Sequence, residues 1–453
     1  MSPVRDGLAR LVGRTSRLAG LGGGTTLPGR ALLRLDPDAM ERLGGELEAG
    51  SVLVSATNGK TTSAAMLSRI LGSAGYSVLA NSAGSNMPWG IVTALLGERA
   101  SIGVFEVDEA WLPEVARSLE PRAILLGNLF RDQLDRYGET EALAAAWDEL
   151  AAEMPASTRF ILNADDPMVA AVGSSTASEA FYFGIEDPAV GLESVPHASD
   201  ARRCRKCDER LVFERTYLGH LGIYRCPGCG SSRPEPDLAA SQVQVVGAER
   251  LEASLSTGDQ EFRLDLPLPG IYNLYNALGA VATAIVLDIE PATATRSLAA
   301  LPAVFGRAER VVVDGTDVGI FLIKNPVGAN EVIRSLSLEH GPLDLWIALN
   351  DRIADGRDVS WIWDADFEQL SGRLRSVACS GTRAAEMALR LKYAGVPAEV
   401  ISISNDLGES FDRAVSGAAG KLYALPTYTA LLELKSHASR AAGQRQFWEV
   451  DDR

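Results

Sequence analysis

The sequence has little histidine and little cysteine: 4 and 5 residues in a chain of 453. The histidines stand apart at 197, 220, 340 and 437, and Cys379 is far from all but the last two, so no Cys–His nucleophile pair is evident. Long apolar runs are missing as well, with nothing near the ~18 residues a bilayer span requires. The opening Met-Ser-Pro-Val-Arg-Asp-Gly carries charge early and shows no apolar stretch before a cleavage site, unlike a secretory signal. These absences predict a cytoplasmic protein. Positive charge is also short, since 43 Lys+Arg against 59 Asp+Glu leave a net charge of −16. Such a chain repels polyanions and argues against nucleic-acid binding through bulk charge. Hydrophobic residues at 46% and charged residues at 23% are ordinary globular usage, and the length predicts two to four domains.

What cysteine there is has a pattern. Cys204 and Cys207 form one pair and Cys226 and Cys229 another, each with two residues between its members. Adjacent pairs in a long chain without a signal suit a tetrahedral thiolate site better than disulfides. Four thiolates around Zn²⁺ leave no open position, so the expected role is structural. His220, between the pairs, reads as an ordinary loop residue. Arg202, Arg203, Arg205, Lys206 and Arg210 give this stretch a local basic excess, which keeps a zinc-ribbon nucleic-acid-binding ATPase as a competing reading. Cys379 reads as a buried apolar residue.

Along the chain, strand and helix patterns alternate from Ser51: strands at 51–55, 76–80, 102–107, 123–126, 160–162 and 180–183, with a helix over 61–71. This rhythm predicts βαβ units and a parallel sheet. Residues 200–236 interrupt it as an insert. The α/β rhythm is expected to resume near Gln242 and Pro269, with a helix over 273–287. A second unit begins near Ala303, with strands at 310–313, 319–323, 343–348, 376–379 and 398–403. The predicted organisation is an N-terminal segment (1–45), a central domain (46–302) holding the insert (200–236), and a C-terminal α/β domain (303–453). Arg5, Arg10, Arg14 and Arg17 share a helix face in the first segment, ordinarily a solvated one.

One loop carries chemistry. Thr57-Asn58-Gly59-Lys60-Thr61-Thr62 follows a strand and opens a helix, where free N–H groups and the helix dipole favour an anion. Gly59 lets the backbone approach a phosphate, Lys60 reaches the outer phosphates, and Thr61 offers its hydroxyl to Mg²⁺. The generic motif has a glycine at position 54; this chain has Val54.

The loop variant resembles that of the Mur ligase superfamily, which uses ATP to join an amine to a carboxylate. Further segments resemble that family in the same order: Glu106-Val-Asp-Glu109, Asn128 to Tyr137, Asn163-Ala-Asp-Asp-Pro167, Gly270 to Ala277, Phe305-Gly-Arg307 and Asn325-Pro326. The resemblance implies a Mur-type central ATP-binding domain with a parallel sheet, an inserted four-cysteine zinc ribbon and an α/β C-terminal domain. It implies ATP contacts from Asn273 and Arg307 beside the loop, and Mg²⁺ held by Glu106 with Thr61. Three positions depart from the pattern: Gln133 replaces a metal-binding histidine, Trp147 stands where many relatives carry a lysine, and Phe321 where an acidic nucleotide contact is common. Only about 50 residues precede the loop, too few for the UDP-sugar domain of soluble-precursor ligases, which implies a lipid-linked or otherwise different substrate.

The acidic stretch Asn350 to Asp364 follows the strand 343–348, a position where α/β folds place function. With the core, the insert and the Leu425-Pro-Thr-Tyr-Thr429 ending, it is similar to the Mur branch that amidates the second residue of the peptidoglycan stem peptide in lipid II. That branch implies a glutaminase partner (GatD) that takes an acidic residue from the ligase to orient its histidine. Asp355 is the first choice, with Asp351 and Asp358 behind it. A folylpolyglutamate-synthase-like ligase is the rival reading within the superfamily.

Overall fold

A computed structural model describes residues 5–7, 9, 11, 26–81, 85–97, 99–131, 140–192, 201–246, 250–301 and 309–441. Most of the arginine-bearing N-terminal stretch, Gln133 and Phe305–Arg307 therefore lie outside the described residues. The chain divides into two units, with the second made chiefly of residues 302–453.

The first unit is built on a nine-stranded sheet. Its first six strands in chain order are β1 (Ser51–Ser55), β2 (Val78–Ala80), β3 (Ile102–Glu106), β4 (Ala123–Leu126), β5 (Arg159–Asn163) and β6 (Phe181–Ile185). A separate antiparallel hairpin, β7 (Val212–Leu218) and β8 (Leu221–Arg225), follows. Then come β9 (Leu238–Val246), β10 (Arg250–Thr257) and β11 (Gln260–Leu266), giving the order β11-β10-β9-β6-β5-β4-β1-β3-β2. The pairings from β9 across to β2 are parallel. Every residue of β1 is buried, as a β-branched run covered on both faces must be. Because β1 lies between β3 and β4, the order in which strands are added switches from one side of β1 to the other, and the crevice at their carboxyl ends is where such sheets take ligands.

Two expectations change. Residues 238–266 form three successive strands without intervening helices, because their apolar residues recur every second position: Leu251, Ala253 and Leu255 are buried and alternate with half-buried neighbours. Residues 27–45, set apart in the sequence reading, do not stand alone. The helices Leu27–Leu35 and Ala39–Gly44 bury Leu32, Met40 and Leu43 in the same apolar core as Leu53, Phe105 and Leu126 of the sheet.

The second unit holds six strands: β12 (Glu309–Val313), β13 (Thr316–Ile320), β14 (Leu343–Ala348), β15 (Leu374–Ser380), β16 (Ile401–Ile403) and β17 (Lys421–Pro426), in the order β12-β13-β17-β14-β15-β16. Apart from antiparallel β12–β13, the pairings are parallel. β17 went unread as a strand, yet it is central; its run is short and ends at Pro426, and its place between β13 and β14 is a long-range pairing. Phe321 is buried against Tyr423, with ring centroids 6.2 Å apart, and serves this core. Among the described residues no helix is long and apolar enough to cross a membrane.

Candidate active site

The loop after β1 is clamped by the segment after β4. The Thr57 amide donates to the Asn128 carbonyl at 2.9 Å, the Asn58 amide to Asn128 Oδ1 at 2.9 Å, and Asn128 Nδ2 returns a bond to the Asn58 carbonyl at 2.9 Å. Thr57 Oγ1 accepts from the Phe130 amide at 3.1 Å. Gly59 caps the helix Lys60–Ser73 with φ of 95°, a left-handed conformation that favours glycine. A Cβ there would also sit 1.9 Å from Asn276 Oδ1, so no other residue fits. Asn276, on the helix Ile271–Val286, takes the Ser63 hydroxyl at 3.3 Å and donates to Asn273 Oδ1 at 3.3 Å. The Gly270–Ala277 stretch thus meets the loop in space. Thr61 is half-buried, whereas Thr62 is fully buried with its hydroxyl beneath the loop.

Carboxylates from the end of β3 surround Lys60. Its ammonium lies 2.6 Å from Glu109 Oε2, with both side chains about nine-tenths buried. Burial alone would lower the lysine, but Glu109, Asp108 and Glu106 outweigh it and hold the ammonium above its ordinary value. Asn81 brackets Glu106 by accepting from its amide and donating to its carbonyl, both at 2.9 Å. Trp147 Nε1 donates to the Glu109 carbonyl at 3.1 Å, so Trp147 steadies the partner of Lys60. One ammonium among three buried carboxylates leaves net negative charge, and a hard divalent cation takes such oxygen donors. The donor set therefore fits Mg²⁺, with Glu106 and Thr61 as its expected holders.

The cysteine pairs form two matching knuckles. The Cys204 amide donates to the Glu209 carbonyl at 2.8 Å, and the Cys226 amide to the Ser231 carbonyl at 2.7 Å. Four residues after each first cysteine, Asp208 and Gly230 take positive φ, 58° and 75°. The four sulfurs lie within 4.8 Å of one another, with Cys204–Cys229 at 3.6 Å and Cys207–Cys226 at 3.4 Å. Tetrahedral zinc thiolates imply separations of about 3.8 Å, so the sulfurs fit a metal ion. The Cys229 amide lowers the Cys226 thiol to about 7, which favours the thiolate a metal binds. Part of the basic excess is paired internally, Arg205 with Asp148 and Arg203 with Asp208. Cys379 is buried, and burial pushes its thiol up to about 12, as expected of an apolar residue rather than a nucleophile.

In the second unit, the acidic loop leaves the carboxyl end of β14 beside the end of β17. The Asn350 amide donates to Thr427 Oγ1 at 3.0 Å, and Asn350 Nδ2 to Thr429 Oγ1 at 2.8 Å. Asp355 is buried and accepts from the Thr429 amide at 2.7 Å and from the Thr429 hydroxyl at 2.5 Å. Asp351 is committed to Thr382 and to Arg383 Nε at 2.8 Å, and hydrogen bonding from Thr382 first, then from Arg383, holds it below the usual carboxylate range. Asp358 accepts from the Ser360 amide at 2.8 Å. Asn350, Thr429 and His437 line a neighbouring cleft of about 950 Å³.

A parallel sheet with a left-handed glycine before a buried lysine, and carboxylates beside it, is the nucleotide-binding framework of the Mur ligases. The comparisons agree: residues 54–220 match the model of the Mur ligase middle domain, and residues 322–431 that of the MurT ligase C-terminal domain. Among solved structures, a pseudomurein peptide ligase type C from Methanothermus fervidus shares the fold with a TM-score of 0.67 at 22% identity, covering 87% of this chain and 79% of that one. Among curated relatives, the MurT subunit of lipid II isoglutaminyl synthase (glutamine-hydrolysing) from Streptococcus pneumoniae is 34% identical, covering 95% of this chain and 96% of the relative. Its Staphylococcus aureus counterpart is 30% identical over 96% and 97%. The chain belongs to the MurT family, a branch of the Mur-type ATP-dependent ligases.

Sequence reasoning quoted Glu109, Asn128 and Asn276 within motifs but gave them no role. Thr429 is likewise quoted, in the Leu425–Thr429 ending, without a role of its own, and His220, expected as an ordinary loop residue, sits in the turn between β7 and β8 but is fully buried.

Proposed function

We propose that this chain is the ligase subunit that amidates the α-carboxylate of D-glutamate in the stem peptide of lipid II. The carboxylate attacks the γ-phosphate of ATP, giving an acyl phosphate and ADP. Ammonia then forms the C–N bond as the acyl–phosphate C–O bond breaks, the proton it loses leaving with the phosphate as HPO4²⁻, and the product is D-isoglutamine. The Lys60 ammonium and the helix-start amides of Gly59, Lys60 and Thr61 hold the phosphates, and the Lys60–Glu109 pair opens to let them in. Mg²⁺ on Glu106 and Thr61 would neutralise phosphate charge, and catalysis comes mainly from positioning and electrostatics. Asn273 and Arg307 complete the nucleotide contacts. Zinc on Cys204, Cys207, Cys226 and Cys229 is structural.

The nitrogen comes from a separate glutaminase subunit, GatD, working at the cytoplasmic face of the membrane where lipid II is presented. The observation that carries this reading is near full-length similarity to MurT subunits of a glutamine-hydrolysing synthase. Asp355 is the carboxylate offered to the partner's histidine. Thr429 donates to both its oxygens and fixes its direction, and each oxygen keeps a lone pair for an imidazole N–H. The test is Asp355→Asn in the two-protein complex, assayed on lipid II with either glutamine or ammonium. Glutamine-driven amidation should fall by about 10²-fold or more while ammonium-driven amidation stays within about threefold. Equal loss with both nitrogen sources would remove Asp355 from this role.

A further inference from the structure

The four-cysteine module is joined to the loop that precedes Lys60. From the exposed knuckles, β7 and β8 run inward until Tyr217, His220 and Leu221 reach zero exposure. The tip is fastened at two points: the Gly222 amide donates to the Asp165 carbonyl at 2.9 Å, and Arg233, just beyond the second knuckle, donates to Asp165 Oδ1 at 2.6 Å. Held in this way, His220 lies on Phe130 with ring centroids 4.6 Å apart, and its Nε2 stands 3.4 Å from Asp166 Oδ2. Neither ring nitrogen makes a hydrogen bond, although the side chain is completely buried. A polar ring buried with a carboxylate contact but no hydrogen bond among the described residues costs stability, so its position calls for a reason beyond packing a hairpin.

That reason lies behind Phe130. The segment Asn128–Leu129–Phe130 is held from both sides. On one side it binds Thr57 and Asn58 of the loop. On the other, Asp166 Oδ2 accepts from the Leu129 amide at 2.8 Å, and the His220 ring covers Phe130. The same Asp166 oxygen faces His220 and holds Leu129. We infer that His220 is a positioning residue for the phosphate loop: the hairpin tip braces residues 128–130, which bind the amides of Thr57 and Asn58, and so fixes the turn that leads into Gly59 and Lys60. The inserted module is then part of the nucleotide site's support. This rests on the reading of that loop as the ATP site.

The experiment uses the complete two-subunit enzyme with His220→Ala and His220→Phe. It measures equilibrium binding of a non-hydrolysable ATP analogue, and KM for ATP and kcat of ammonium-driven lipid II amidation. His220→Ala should weaken analogue binding and raise KM about tenfold with kcat changed less than about twofold. His220→Phe, which keeps the ring on Phe130, should restore KM to within about twofold of the parent. Unchanged KM in a folded His220→Ala protein overturns the inference, as does a tenfold rise shared equally by both variants. If the alanine variant does not fold, His220→Leu carries the test, and a KM equal to the parent's again overturns it. Failure of the parent itself to bind the analogue would instead strike at the ATP reading.

Discussion

The two units each place a loop of charged side chains after a central parallel strand, one built around an ammonium held among carboxylates and the other around carboxylates held by threonines. In the first unit the loop follows β1, between β3 and β4, and it presents backbone N–H groups and an ammonium. In the second the loop follows β14, between β17 and β15, and presents carboxylates held by threonines. The contrast shows that sheet topology supplies the location while side chains supply the chemistry. One loop holds a lysine ammonium on a buried carboxylate, and the other holds a carboxylate in a fixed direction.

The largest effect expected from breaking this contrast is at Lys60. Lys60→Ala should cut amidation by about 10²–10³-fold with either nitrogen source, because it removes charge that faces the transferring phosphoryl group. Asp355→Asn should spare the ammonium reaction, so the pair of variants separates the two loops. Near-normal ammonium-driven turnover by Lys60→Ala would end the assignment of the first loop.

A smaller effect is expected at the cysteines. Metal analysis should find about one zinc per chain, and Cys226→Ser should lose it and lower the melting midpoint by roughly 5–10 °C. A metal-free protein that melts with the parent would sever the module from the stability of the first unit.

The smallest effect sharpens the second unit by itself. Glu331, on the helix Pro326–Ser337, is buried, and burial pushes its carboxyl up to about 7 against the weak pull of Arg334 at 3.8 Å. A carboxyl raised in the folded state lends stability below the unfolded value of 4.5 and loses it as pH rises towards 7. Glu331→Gln should therefore be neutral near pH 4 and stabilising at pH 8, by up to about 3 kcal/mol. Denaturation at the two pH values checks this, and a gain that does not depend on pH would contradict it.

Much of the first unit was legible because its signals are local. The strand at 51–55, the glycine-lysine turn and the helix after it follow one another directly, and Val54 in place of a glycine did not alter the turn that Gly59 makes. The cysteine spacing was legible for the same reason, since a knuckle closes within four residues. β17 was not, because a short strand has no meaning until neighbours accept it on both sides. The three strands over 238–266 were misread because length and turns had to choose between helix and strand in a half-apolar stretch.

The amino-acid order determined the anion-binding turn, the two knuckles and the position of the buried strand before the turn, because each is fixed by steric and hydrogen-bonding preferences among residues a few positions apart. Only the tertiary structure brought Glu109 and Trp147 to Lys60, Asn276 to Gly59, Thr429 to Asp355 and His220 to Phe130. Those meetings span from tens to more than two hundred residues of chain. They arise from burial and sheet pairing acting together, which no local pattern encodes.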